Sequence, residues 1–159
     1  MPWLPWWLTS VAAQTYLSFD FGLRRVGVAV GNTFLHQATP LKTVAAEGDA
    51  RFAALQALIL EWQPAALVVG VPFHPDGAAH ENTQRARRFA RQLQGRFRLP
   101  VHEVDERYTT TEALSEGAAD ADAGAAAIIL DQFFRQLQSA PGPTTPVAAS
   151  HLGMKPAGL

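Results

Sequence analysis

The run Ala66-Leu67-Val68-Val69-Gly70-Val71 carries no polar side chain on either face of a strand. Strand side chains alternate between faces, so such a run belongs in the middle of a sheet that is covered on both sides. Pro64 precedes it and Pro72 follows it, which sets its limits. The segments around it supply the rest of such a fold. Residues 16–21 and 26–31 are short β-rich runs parted by Gly22 and Leu23, then Arg24 and Arg25, which reads as a tight hairpin. A third strand is expected over 38–44. Residues 49–62 repeat Phe52, Leu55, Leu58, Ile59 and Trp62 at helical spacing. A loop follows at 72–77, then an Arg-rich helix at 81–94 with Ala86, Phe89, Ala90 and Leu93 as its apolar stripe. A strand at 99–104 comes next, then a short helix at 109–116 opened by a capping box of Thr109 and Glu112. The last helix is expected over 120–137, with Ile128, Ile129, Phe133 and Leu137 turned to the core. Strands first, then strands alternating with helices, give an α/β class: a mixed central sheet flanked by helices.

A chain of 159 residues suits one domain with one core. The absence of cysteine excludes a disulfide framework and a thiolate zinc site, and fits a cytoplasmic location. The five histidines show no metal-ligand spacing, and His74 and His80 flank a loop. Residues 1–14 read as an apolar extension with Trp3, Trp6 and Trp7. It has no basic start, and Pro2 and Pro5 interrupt it, which argues against a signal peptide. It is too short to span a bilayer, so no membrane association is expected. A flexible or loosely docked extension is the reading. Residues 139–159 hold four prolines and three glycines, the composition of a disordered tail. The folded domain is therefore placed at 15–138.

The net charge of -1 conceals a strong asymmetry. Residues 85–98 carry six arginines and no acid, whereas 103–131 carry eight acids against Arg107. One surface could meet an anionic polymer while another holds metal ions, or the two could be merely solvated helix faces.

Four acids lie in or beside the apolar elements. Asp20 lies within the first strand, where an unpaired buried carboxylate requires a partner or a metal; it could equally close the strand and cap the turn. Asp105 and Glu106 are adjacent and point to opposite faces, so at most one easily shares a site with Asp20. From Asp122, positions +3, +7 and +11 are Ala125, Ile129 and Phe133, so Asp122 falls on the inward side of the last helix near its start. An N-cap is the competing role for it. Asp131, half a turn round, should face solvent. Carboxylate oxygens are what Mg²⁺ and Mn²⁺ prefer. Two such ions about 4 Å apart serve phosphodiester hydrolysis.

Four segments in order resemble the YqgF/RuvX family, whose members are described as Holliday-junction resolvases and as pre-16S ribosomal RNA nucleases. They are Leu17-Ser18-Phe19-Asp20-Phe21-Gly22-Leu23-Arg24-Arg25-Val26-Gly27, Val68-Val69-Gly70-Val71-Pro72 with Asp76-Gly77, Val104-Asp105-Glu106-Arg107-Tyr108-Thr109-Thr110, and Asp122-Ala123-Gly124-Ala125-Ala126. The resemblance implies a ribonuclease-H-like fold and a catalytic, metal-holding triad of Asp20, Glu106 and Asp122, with Mg²⁺ or Mn²⁺ as cofactor. It makes Arg24, Arg25 and Arg107 candidates for the substrate phosphates, which the Arg fork suits. Arg85 and Arg88 on the basic helix would add contacts independent of sequence. The loop Phe73-His74-Pro75 departs from the family pattern. The implied partner is structured RNA, with ribosomal precursor particles as its setting, or else branched DNA. A resolvase making two symmetric cuts needs a dimer, but the sequence suits a monomer or a homodimer. A nucleic-acid-binding module without catalysis is a further alternative. An ATP-binding domain of the actin type is disfavoured by the presence of one domain.

Overall fold

The computed structural model describes residues 14–72, 77–106 and 121–139. The elements are β1 (Thr15–Phe21), β2 (Val26–Asn32), β3 (Gln37–Val44), α1 (Gly48–Trp62), β4 (Ala66–Val71), α2 (Gly77–Phe97), β5 (Val101–Asp105) and α3 (Ala121–Ser139). The strands form one sheet in the order β3-β2-β1-β4-β5. β1 pairs antiparallel with β2, and β2 with β3; β1 and β4, and β4 and β5, are parallel. The apolar run is β4, inside the sheet and buried at every residue.

Alternation along each strand divides the core in two. Leu17 and Phe19 of β1, Val26, Val28 and Val30 of β2, and Leu67, Val69 and Val71 of β4 face α1 and α2, against Phe52, Leu55, Phe89 and Leu93. Tyr16, Val68 and Val104 face α3, against Ile129, Leu130, Phe133 and Phe134. A side chain such as Phe89 or Leu130, fully buried, contributes roughly 1.5–3 kcal/mol relative to exposure. On the α3 side β2 presents Gly27, Ala29 and Gly31, and this small-residue track lets α3 lie close. A Cβ on Gly31 would meet Phe134 Cε2 at 2.8 Å.

Several boundaries differ from expectation. α2 begins at Gly77, in the expected loop, and runs to Phe97, continuing through Gly95, which a helix accommodates at a cost of about 1 kcal/mol. It ends where Arg98 turns left-handed (φ 56°), its N–H bonding Gln94 O at 2.9 Å. β5 runs from Val101 to Asp105, shifted from the expected 99–104. Trp62 is 37% exposed and Leu137 44%, so neither belongs to the core; both sit in the last turns of their helices. Ile128 is only partly buried. Asp131 does not face open solvent. α3 crosses the sheet towards β3, and Asp131 Oδ1 accepts the Ala38 N–H at 3.0 Å. The expected helix at 109–116, Arg107, Asp120, the loop residues 73–76 and both terminal segments lie outside the described residues.

Candidate active site

Asp20 is the sixth residue of β1, and the alternation that buries Phe19 under α2 turns Tyr16, Ser18 and Asp20 towards α3. Its antiparallel partner is Gly27. A Cβ at Gly27 would sit 1.8 Å from Asp122 O and 2.8 Å from Ala123 N, so the first turn of α3 rests on bare backbone there. That seating brings Asp122 beside Asp20. One turn on, the buried Ser18 hydroxyl donates to Ala126 O at 2.7 Å and fixes the helix to the strand. Asp122 lies within the first turn of α3, where its charge also suits the helix dipole.

Glu106 follows β5. His102 and Val104 lie on the α3 face, and Glu106 continues that series. Its carboxylate crosses Gly70 of β4, where a Cβ would stand 2.4 Å from Glu106 Oε2 and 2.9 Å from its Cγ. There it hydrogen-bonds the Asp20 side chain. Asp105 points elsewhere, and its backbone carbonyl accepts the Gln132 Nε2 donor at 3.0 Å. Burial, then the charges of Glu106 and Asp122, push the Asp20 carboxyl up to about 8. Three acids from distant parts of the chain thus form one electrostatic cluster.

Arg25 Nε donates to Asp122 Oδ2 at 2.9 Å. Among the described residues no three acids close around a single point; Asp20 and Glu106 contact each other while Asp122 is held by Arg25. The donors are nevertheless the hard oxygens a divalent cation selects. A cation would also offset the burial and the charge repulsion that raise Asp20. The residues fit the group on those grounds.

Arg24 is exposed on the hairpin turn. Arg85 and Glu106 share a cleft of about 350 Å³ with Phe21, Leu23, Pro72 and Asn82. Arg88 lines an adjoining, mainly basic groove of about 550 Å³ with Glu81, Arg85, Arg87 and Arg91. Arg85 itself pairs with Glu81 at 3.7 Å, and two other arginines of the basic run are also paired. Arg87 pairs with Glu103 at 3.4 Å; Arg96 pairs with Asp49 at 3.5 Å and stacks on Phe52 at 4.1 Å.

Sequence reasoning missed Arg51. It is buried in α1, with Nε donating to Ala46 O at 2.8 Å and Nη2 to Gly22 O at 3.0 Å and Leu23 O at 2.9 Å. Its guanidinium also lies 5.4 Å from the Phe21 ring centre. Arg51 therefore secures the turn that carries Arg24 and Arg25. An Arg beside Phe52 on the inward side of a helix was the available signal. Gly27 and Gly70, glycines inside strands, signalled close approach.

The mixed sheet with α3 across one face is a ribonuclease-H-like fold. It matches T. thermophilus RuvC, solved in complex with a Holliday junction substrate, at a TM-score of 0.50 and 15% identity, over 79% of this chain and 96% of that one. The family model described as "RuvX: Holliday junction resolvase" matches residues 14–136, and the chain belongs to that family. A protein of Albidiferax ferrireducens is 72% identical over 78% of this chain and 80% of its own length. One of Polaromonas sp. is 66% identical over 78% of this chain and 90% of its own. Both bear the name "Putative pre-16S rRNA nuclease".

Proposed function

We propose that the protein is a metal-dependent endonuclease acting in the cytoplasm on structured RNA, and that it trims the 5′ end of the pre-16S rRNA. The observation that carries this reading is the contact of Asp20 with Glu106 beside Asp122, at the end of the sheet where Arg24, Arg25 and Arg85 also stand. The names borne by its relatives supply the substrate.

Asp20, Glu106 and Asp122 would hold Mg²⁺ or Mn²⁺. Such ions supply an activated water and neutralise the charge on the leaving oxygen. The chain's own residues do the rest. The proton shared between Asp20 and Glu106 must leave before both carboxylates can act as ligands. Arg25, released from Asp122, is placed to take a substrate phosphate through its fork. Arg24 and Arg85 hold flanking phosphates, and Arg88 extends the track along α2. The partly apolar cleft at Phe21, Leu23 and Pro72 accommodates the nucleotide next to the scissile bond.

The test sets wild type against Asp20→Asn, each with Mn²⁺, Mg²⁺ or EDTA, on two substrates. One is RNA spanning the 5′ end of the small-subunit rRNA precursor; the other is a four-way DNA junction. Metal-dependent RNA cleavage that is lost in the variant is the expected result. Paired symmetric cuts in the junction alone would move the function to recombination, as the family's description has it. Binding without cleavage, equal in both proteins, would leave a nucleic-acid-binding module.

A further inference from the structure

The pole of the sheet away from the acids carries an apolar surface that the proposed chemistry does not use. Phe34 is 79% exposed and Leu35 63%, both in the turn between β2 and β3; Leu60 is 66% exposed near the end of α1, close to Trp62. Leu35 and Trp62 wall a groove of about 250 Å³ with Val30, Leu41 and Thr39. No charged side chain lines it among the described residues, so nothing there steers a nucleic acid. It is smaller than the usual pocket for a small molecule, about 300–1,000 Å³, but suits an aromatic side chain. Exposed apolar patches of this kind mark contact surfaces.

The chain itself arrives at this groove. Gln14 N–H donates to Thr33 Oγ1 at 3.0 Å, and Thr33 N–H donates to Gln14 O at 2.9 Å. Residue 14 is thereby tied to the turn two residues before Leu35, and Thr15 is part of the groove wall. The preceding thirteen residues contain Trp3, Leu4, Trp6, Trp7 and Leu8 and no charge. They precede the segment that the family model matches. We propose that this Trp-rich segment docks in the groove of its own chain, placing an indole between Leu35 and Trp62. A tether this short gives an effective concentration in the millimolar range, so even a modest apolar contact suffices. Pro2 and Pro5 restrict the backbone and lower the entropy lost on docking.

All four tryptophans of the chain lie in the segment or the groove, which makes the proposal readable by fluorescence. In full-length Trp62→Phe only the segment's indoles emit. Their emission should be blue-shifted, and their quenching by acrylamide several-fold weaker than in urea. Adding Leu35→Glu or, separately, Thr39→Arg should raise quenching to the level in urea, with the circular dichroism spectrum unchanged. Both positions are exposed, so folding survives the change. Indoles as quenchable in Trp62→Phe as in urea would overturn the proposal, as would protection that persists in both groove variants. Protection that fades on dilution together with a dimer in sedimentation would assign the groove to a second copy and overturn it equally.

Discussion

Asp20 retains a proton that most aspartates lose. Its carboxyl titrates at about 8 in the fold and near 3.8 in the open chain. Between those values the native state binds more protons than the unfolded state, so stability falls as pH rises through the window and levels off above about 8. In EDTA the melting temperature of the wild type should drop from about pH 4 to about pH 8 relative to Asp20→Asn, as differential scanning calorimetry would show. Equal slopes for the two proteins would remove Asp20 as the cause. Since a metal would displace the same proton, Mn²⁺ affinity should rise over that range and binding should release acid. Pattern could not tell the adjacent Asp105 and Glu106 apart, and only the family resemblance favoured Glu106, but Asp20 and Asp122 were legible because each interrupts an apolar pattern. Arg51 was not. A helix stripe shows that its side chain turns inward, but not that the carbonyls of Gly22 and Leu23 wait there.

Among the elements, α3 is the one whose placement makes the site. Asp122 stands beside Asp20 because α3 lies directly on the backbone of β2, and Gly27 permits that approach. Gly27→Ala would drive a methyl group into Asp122 O and Ala123 N. The helix must then lift, at a cost of about 3 kcal/mol. Urea denaturation should show that loss, and activity should fall further than stability because Asp122 moves away from Asp20. Gly124→Ala on α3, where an added Cβ meets nothing within 4 Å, serves as the control and should keep both. The periodicities indicated the strands and helices well, since β4 and the stripe of α2 are continuous signals. They misplaced Leu137 and Asp131. Periodicity gives a helix its inward side but not the point where it runs past the sheet, nor the free N–H of Ala38 on β3 that draws Asp131 in.

Taken whole, the molecule sorts its charges by position. The basic run reads as one patch in the sequence, yet Arg96 is bound to Asp49 and Phe52 on the side of α1, while Arg88 stands in an open basic groove. Arg88→Gln should weaken RNA binding and lower the slope of log K against log salt by about one unit. Arg96→Gln should leave that slope unchanged and cost only stability. Equal slopes in the two variants, measured by filter binding at several salt concentrations, would refute the distinction. The acids occur at positions 20, 106 and 122, on the first strand, after the last strand and on the final described helix. None of these pieces has a site by itself, and Glu106 and Asp122 are the last of the three to be synthesised. A chain still emerging from the ribosome therefore lacks the complete acid cluster until Asp122 has been added, whatever it folds before then.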